Sequence, residues 1–211
     1  MTVTHLSPDR RIPGCVIVGV DGGRFASLPI ELVRALGLKA GVQLDGTQAA
    51  RLRDAAAAEA AHRVATRLLA VHPRTEYELG RKLRERGHPE GAIRTALDRL
   101  RAIGALDDDA FSCRFAAARL LKGHGPSRVL SDLLARGVER RGAERAIQEA
   151  SQEEGVETDA QVRRLLERRV RSVAGLAPEV QRRRLLAFLA RRGFRGREVQ
   201  ALVSRSLADL G

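Results

Sequence analysis

Arginines near the C-terminus are the residues whose type and spacing point most clearly to binding chemistry. Arg164, Arg168 and Arg171 follow one another at intervals of four and three residues, which places them on one face of a helix. Five more arginines follow them: Arg184, Arg191, Arg192, Arg195 and Arg197. The planar guanidinium group binds carboxylate or phosphate through two parallel hydrogen bonds. We therefore predict that these arginines bind an anionic partner, either nucleic acid or an acidic protein surface.

The residue patterns of enzymes and metal sites are missing from the sequence. Asp107–Asp109 could ligate a metal, but an acidic cluster at the start of an apolar stripe favours a helix cap, where carboxylates meet free amides. The histidines form no His-Glu-x-x-His motif, and no serine has a recognisable base. Residues 122–127 are glycine-rich but lack the Gly-Lys-Ser/Thr end of a P-loop, which favours a turn between helices. We predict that the protein is not an enzyme and has no catalytic residues, no metal site and no cofactor.

The distribution of charge indicates what kind of partner the protein binds, and the cysteine usage indicates the cellular compartment. The chain has a net charge of +12, and residues 161–211 combine 13 arginines with 4 acidic residues, a net charge of +9. Such an asymmetry is typical of a segment with an anionic partner. Cys15 and Cys113 are far apart and form no Cys-x-x-Cys pair, which argues against a disulfide framework or a zinc site. Without an apolar run of about 20 residues or a signal-peptide pattern, we expect a cytoplasmic protein with no membrane contact.

The apolar periodicity predicts helices along most of the chain, preceded by a small module with strands. Residues 15–29 are expected to form a β-hairpin with Asp21-Gly22-Gly23 as its turn, followed by a short helix at Ile30–Leu36. Residues 1–13 are polar and are expected to be irregular. The later helices begin at recognisable signals: the capping box Thr75–Glu78, the acidic cluster Asp107–Asp109, Gly125-Pro126 and Ala177-Pro178.

Three copies of a Leu-x-x-Arg-Gly motif indicate an internal repeat. They begin at Leu83, Leu133 and Leu189, at intervals of 50 and 56 residues. Apolar residues stand ten and six positions after each glycine: Leu97, Ile147 and Val203, and Ile93, Ala143 and Val199. We therefore predict a mainly α protein of three tandem three-helix repeats with a small N-terminal β-hairpin/α module. The predicted divisions are 1–48 for the N-terminal extension, then 49–105, 106–155 and 156–211 for the three repeats, the last strongly basic.

The order of these motifs resembles the RecX family over about residues 55–208. The first-repeat signature of that family is similar to Thr75-Glu-Tyr-Glu-Leu-Gly-Arg-Lys-Leu83-x-x-Arg-Gly87, and Ile103-Gly-Ala-Leu-Asp-Asp-Asp-Ala-Phe111 follows at a similar distance. Phe115, Arg119 and the Gly123-x-Gly125-Pro126 turn stand where the family has an aromatic residue, an arginine and a glycine-rich turn. Leu133-x-x-Arg-Gly-Val138 and Leu189-x-x-Arg-Gly-Phe194 complete the resemblance.

The resemblance implies a function that the helices alone do not. RecX proteins bind the RecA recombinase on single-stranded DNA and modulate its recombinase, ATPase and coprotease activities, in homologous recombination, DNA repair and the SOS response. Some of them also bind DNA weakly. The implied partner is therefore the RecA filament, with single- or double-stranded DNA as a further partner, and we expect a monomer.

Other interpretations remain open at this point. A helix-turn-helix DNA-binding protein or transcription regulator would also contain three-helix units with basic faces, although residues 94–101 and 148–151, on the third helices, offer few side chains that read bases. A helical scaffold for another acidic protein is a third interpretation. In the N-terminal module, residues 28–44 resemble the strand and helix of AbrB-type swapped-hairpin DNA-binding domains. We favour a structural extension that packs on the first repeat.

Overall fold

The computed structural model describes residues 1–155 and 157–208 and divides them between two compact units, Met1–Leu106 and a second unit that starts at Asp107. The first unit contains β1 (Val3–Pro8), β2 (Cys15–Val20), β3 (Gly23–Pro29), α1 (Ile30–Ala35), α2 (Gly46–Val71), α3 (Glu76–Arg84) and α4 (Glu90–Ala102). The second contains α5 (Asp108–Leu121), α6 (Pro126–Leu134), α7 (Arg140–Glu153), α8 (Thr158–Val170), a 3₁₀ turn (Arg171–Val173), α9 (Pro178–Arg192) and α10 (Arg197–Ala208). The predicted fold class, mainly helical with three-helix groups that follow a small N-terminal module in the chain, is confirmed.

The N-terminal sheet is antiparallel in the order β1-β2-β3. The hairpin of β2 and β3 was predicted, and its two linking residues, Asp21 and Gly22, both have positive φ, as a tight hairpin turn requires. The prediction that residues 1–13 are irregular was wrong, because β1 pairs with β2 along Val3–Pro8. This strand has little alternating apolar pattern. Its place is fixed by distant contacts instead: Val3 is fully buried and its N–H donates to the carbonyl of Val42 at 2.9 Å.

Helix α2 belongs to two hydrophobic cores at once. Its first turns contribute Ala49 and Leu52 to the core beneath the sheet. Its later turns contribute alanines, among them Ala61 and Ala65, to the core that it shares with α3 and α4. The predicted boundary between residues 48 and 49 therefore falls inside a continuous helix.

Glu59, in the middle of α2, ties this helix to its neighbours. Its carboxylate pairs with Arg63 at 2.9 Å and with Arg99 of α4 at 3.3 Å, and its side chain is only 8% exposed. The same Arg63 donates to the carbonyl of Ser27 in β3 at 2.7 Å. One carboxylate and one guanidinium thus connect the sheet, α2 and α4 by charge-assisted hydrogen bonds.

The Leu-x-x-Arg-Gly motif is the C-terminal cap of the second helix in each three-helix group. In all three copies the leucine is fully buried and the glycine has a positive φ. The N–H of the residue after the glycine donates back to the leucine carbonyl, five residues earlier: His88 to Leu83 at 3.2 Å, Val138 to Leu133 at 3.1 Å and Phe194 to Leu189 at 3.0 Å. This pattern closes the last helical turn, and glycine is the residue that adopts it without strain.

The second unit contains two cores, one for each three-helix group. Phe111, Leu120, Val129 and their neighbours form the core of α5–α7. Val162, Leu185, Phe194 and their neighbours form the core of α8–α10. The division into 49–105, 106–155 and 156–211 stays a prediction, and residues 156 and 209–211 of the last range lie outside the described residues.

The two groups of the second unit meet end to end through main-chain atoms. The N–H of Gly125, just before α6, donates to the carbonyl of Arg192 at 2.7 Å, and the N–H of Ser127 donates to the carbonyl of Gly193 at 3.2 Å. Free amides at the start of α6 are therefore bonded to free carbonyls at the end of α9, so each helix caps the other. The positive end of one helix dipole also faces the negative end of the other.

Candidate functional site

All eight predicted arginines are exposed on the third three-helix group. Along α8 and the 3₁₀ turn after it, Arg164, Arg168 and Arg171 face outward. The buried residues of that stretch are apolar: Val162, Leu166, Val170 and Val173. The helix ends at Val170, so Arg171 and Val173 lie in a turn that winds more tightly than the predicted continuous helix.

The arginines of this group differ from many of those elsewhere in forming no ion pairs among the described residues, although Glu167 lies among them on α8. In the first two groups guanidiniums pair with carboxylates, as between Arg101 and Glu76 at 3.2 Å or Arg119 and Asp132 at 3.6 Å. Within residues 157–208, as the structure describes them, no arginine forms an ion pair with a carboxylate. Their guanidinium groups are consequently not neutralised by the protein itself, which suits contact with an external anion.

A groove between α8 and α10 brings Arg171 together with Arg163 and Arg205, and the acidic Glu167 also lines it. Its volume is about 550 Å³, and apolar side chains such as Leu166 and Leu202 lie at its base. Sequence reasoning missed Arg163 and Arg205, because they lie on different helices and only the packing of α8 against α10 makes them neighbours.

A smaller notch of about 270 Å³ brings Arg191 and Arg195 together with Arg128 of α6. Two hydroxyl-bearing residues, Ser127 and Ser131, also line it. Arg128 is 67 residues away from Arg195 in the sequence, so this grouping exists only because α6 and α9 meet end to end.

Arg192 is exposed but also contacts an aromatic ring. Its guanidinium lies 5.1 Å from the centre of the Phe188 ring, and that of Arg169 lies 5.5 Å from it. Both distances are within the range of a cation–π interaction. Part of the Arg192 side chain therefore stabilises the fold of the third group.

The four remaining predicted arginines do not line the groove or the notch. The Nε–H of Arg164 donates to the carbonyl of Ala160, one turn earlier, at 3.4 Å. Arg168, Arg184 and Arg197 are exposed. The structure thus separates the predicted set into two concave clusters, a ring contact and several single exposed cations.

Two predictions about local structure, a helix cap and a turn, are confirmed. The carboxylate of Asp107 accepts a hydrogen bond from the N–H of Ala110 at 2.8 Å, so the acidic cluster caps α5. Residues 122–125 form the turn between α5 and α6. The amides of Gly125 and Ser127 in this turn are already bonded to α9, so they are not open to a phosphate group.

Two titratable groups of the second group have shifted protonation equilibria. Burial raises the pKa of the Cys113 thiol, and the carboxylate of Glu149, which accepts its S–H at 3.3 Å, raises it further. Burial lowers the pKa of His124, and the positive charge of Arg119 adds to this effect.

Among the residues that the structure describes, no three potential metal ligands of the His, Cys, Asp and Glu types are clustered closely enough to hold an ion. No described helix is both long and apolar enough to cross a membrane.

Three-helix groups that follow a small sheet in the chain, with arginines on the last group that are unpaired in its described part, define a helical repeat protein with a basic terminal group. The model of the first three-helix domain of RecX matches residues 61–100, and that of the third three-helix domain matches residues 157–203. Regulatory protein RecX of Halorhodospira halophila is 36% identical over 157 residues, which cover 73% of this chain and 92% of that protein. Regulatory protein RecX of Thermobifida fusca is 33% identical over 153 residues, which cover 72% of this chain and 80% of that protein. The chain belongs to the RecX family.

Solved structures show the same fold. The crystal structure of a regulatory protein RecX superposes with a TM-score of 0.76 over 99% of this chain and 98% of that chain, at 19% sequence identity. RecX from Lactobacillus salivarius superposes with a TM-score of 0.63 over 74% of this chain and 98% of its own, at 17% identity. Because the first of these alignments covers nearly the whole chain, it includes the N-terminal sheet as well as the helical groups.

Proposed function

We propose that the protein binds the filament of RecA recombinase on single-stranded DNA and modulates its recombinase, ATPase and coprotease activities. The proposal rests on the family, whose curated members carry the name regulatory protein RecX. The observation that carries it to particular residues is that the eight predicted arginines are all exposed and that none forms an ion pair with a carboxylate within the described chain.

A RecA filament offers the third three-helix group contacts that bare DNA does not offer. Binding to phosphates alone loses affinity steeply with salt, with a slope of roughly −0.7 per phosphate contact on a single strand. At physiological ionic strength charges are screened over about 8 Å. A protein coat around the DNA adds uncharged polar and apolar surface that the repeats can match, and contacts of that kind are less sensitive to salt than contacts between charges. We therefore expect the filament to be preferred over the same DNA without RecA.

Charge reversal on α8 tests the proposal. Replacing Arg164, Arg168 and Arg171 by glutamate should weaken binding to the filament and reduce its dependence on salt. The fold should persist, because all three side chains are exposed and the buried residues of this stretch are apolar. A matched control is the triple reversal Arg51→Glu, Arg53→Glu and Arg67→Glu on α2, which changes the net charge equally at exposed positions of the first unit.

The outcome separates the proposal from its rivals. Loss of filament binding in the α8 variant, with the α2 control unaffected, supports the proposal. Equal loss in both variants would mean that only net charge matters. Equal affinity of the wild-type protein for filament and naked DNA would favour a plain DNA-binding protein instead.

A further inference from the structure

We propose that the notch between α6 and α9 is a binding site for a backbone phosphate of a nucleic-acid strand. This inference rests on the proposed function in one respect, since it names which component of the RecA–DNA filament the notch contacts. It assigns a role to Arg128, Ser127 and Ser131, which the sequence did not single out.

The residues that line the notch leave it with a clear excess of positive charge. Three of them are exposed arginines, Arg128, Arg191 and Arg195, and none is acidic. Arg191 and Arg195 pair with no carboxylate in the described part of the chain. Arg128 pairs with Asp132 through its Nε at 3.1 Å, which leaves the two terminal nitrogens of its guanidinium for another acceptor. The notch therefore attracts an anion and repels a cation.

The serines add neutral hydrogen-bonding groups at the same place. The hydroxyl of Ser131 donates to the carbonyl of Ser127 at 3.0 Å, so its proton is already engaged. The hydroxyl of Ser127 is on the exposed first turn of α6 and has no hydrogen-bond partner among the described residues. It can donate to a ligand oxygen beside the guanidinium forks.

The position of the notch is fixed by the main chain rather than by flexible side chains. The hydrogen bonds from Gly125 to Arg192 and from Ser127 to Gly193 hold the first turn of α6 against the last turn of α9. Both Gly125 and Gly193 are buried. Because the amides of this junction are already bonded, attraction for an anion comes from the side chains and not from the start of α6.

A phosphodiester fits this group of residues better than a single carboxylate does. Arginine forks together with a serine hydroxyl are common partners of backbone phosphates. The notch presents three guanidinium groups, whereas one carboxylate supplies one charge. A nucleic-acid strand carries one charge on every nucleotide, so a neighbouring phosphate can meet the remaining guanidinium.

The test compares two double substitutions, one at the notch and one nearer the start of α9. Arg191→Gln with Arg195→Gln removes two cations from the notch, and Arg182→Gln with Arg183→Gln removes two exposed cations from the start of α9, outside it. The full-length proteins are titrated against fluorescent oligo(dT), naked and coated with RecA, at two salt concentrations. Because hydrogen bonds to charged groups are stronger than those between neutral groups, we expect the notch variant to lose affinity for naked oligo(dT) by about tenfold or more. Its salt slope should fall by roughly 0.7 per lost contact, and the control should change little.

Two further variants keep the result interpretable. Ser127→Ala removes one hydroxyl at an exposed site and should weaken oligo(dT) binding without changing the net charge. Arg191→Lys with Arg195→Lys keeps the charge but not the fork, and should restore only part of the affinity. Thermal melts check that all variants are folded.

The outcomes distinguish failure of the phosphate site from failure of the proposed function. Equal losses in the two glutamine variants would overturn the notch assignment. So would unchanged oligo(dT) binding combined with weakened binding to the RecA-coated strand, which would mean that the notch takes an acidic protein group. If wild type shows no preference for the coated strand but the notch variant alone loses oligo(dT) affinity, the proposed function fails while the phosphate site stands.

Discussion

Gly125 and Gly193 lie so close together that a Cβ atom on Gly125 would stand 2.5 Å from the carbonyl carbon of Gly193. Real side chains do not approach a main-chain atom so closely. The end-to-end contact of α6 and α9 therefore requires glycine at position 125, although this residue is separated from its neighbour in space by 68 positions of sequence.

Substituting Gly125 by alanine should destabilise the second unit by about 1–3 kcal/mol, because the added methyl group forces the two helix ends apart. The control is Gly142→Ala in α7, where the nearest atom to a new Cβ is 3.8 Å away. In a helix this control should be neutral or stabilising by about 0.5–1 kcal/mol. Urea denaturation measures both. Similar effects of the two substitutions would show that the close contact is not needed for stability.

The capping box at α3 makes a second prediction. Thr75 is fully buried, its hydroxyl accepts from the N–H of Glu78 at 3.2 Å, and its own N–H donates to the Glu78 carboxylate at 3.3 Å. Thr75→Ala should lower the free energy of unfolding by about 0.5–2 kcal/mol. The comparison is Thr66→Ala, at an exposed position inside α2 where alanine has the better helix propensity. The cap would be unimportant if Thr75→Ala were no more harmful than Thr66→Ala.

The buried carboxylate of Glu59 makes a third prediction. Glu59→Ala leaves Arg63 and Arg99 without their acidic partner, and Arg63 is only 22% exposed. The expected loss is about 2–3 kcal/mol, below that of a fully buried pair because Arg99 still reaches solvent. Glu31→Ala breaks an exposed pair with Arg34, in which Glu31 is 77% exposed, and should change stability by at most about 1 kcal/mol. Thermal denaturation of the two variants tests the difference, and equal stabilities would refute it.

The raised pKa of Cys113 makes a fourth prediction, about pH dependence. Alkylation proceeds through the thiolate, so the labelling rate of Cys113 should reach its midpoint at a higher pH than that of an ordinary cysteine peptide. Glu149→Gln removes a negative charge beside the thiol and should lower this midpoint. Mass spectrometry of the alkylated peptides reports the rate at Cys113 separately from that at Cys15. A midpoint unchanged by Glu149→Gln would exclude the carboxylate as a cause.

Much of the fold could be predicted because its signals are local. The capping box at Thr75, the Pro126 and Pro178 helix starts and the three Leu-x-x-Arg-Gly caps each depend on residues within one or two helical turns. Strand β1 could not be predicted in this way. It is held by pairing with β2 and by the contact between Val3 and Val42, and neither is encoded in its own pattern.

The candidate site likewise combines features that local sequence signals predict with features that depend on distant contacts. The outward direction of Arg164 and Arg168 follows from helical spacing against buried Val162 and Leu166, and it could be read from the sequence. The grouping of Arg128 with Arg191 and Arg195 could not, because it depends on the packing of two helix ends. The Gly125-Pro126 helix start places Arg128 in the first turn of α6, but no sequence pattern places it beside α9.

Preference for the RecA filament over bare DNA is best measured as the ratio of two dissociation constants for the wild-type protein at physiological salt. One is measured on fluorescent single-stranded DNA coated with RecA, and the other on the same DNA alone. If the protein binds the filament as proposed, it binds the coated strand clearly more tightly, and the preference grows as salt rises, because phosphate contacts weaken with salt faster than uncharged contacts to protein surface do. Equal constants, or a preference that disappears as salt rises, would contradict it.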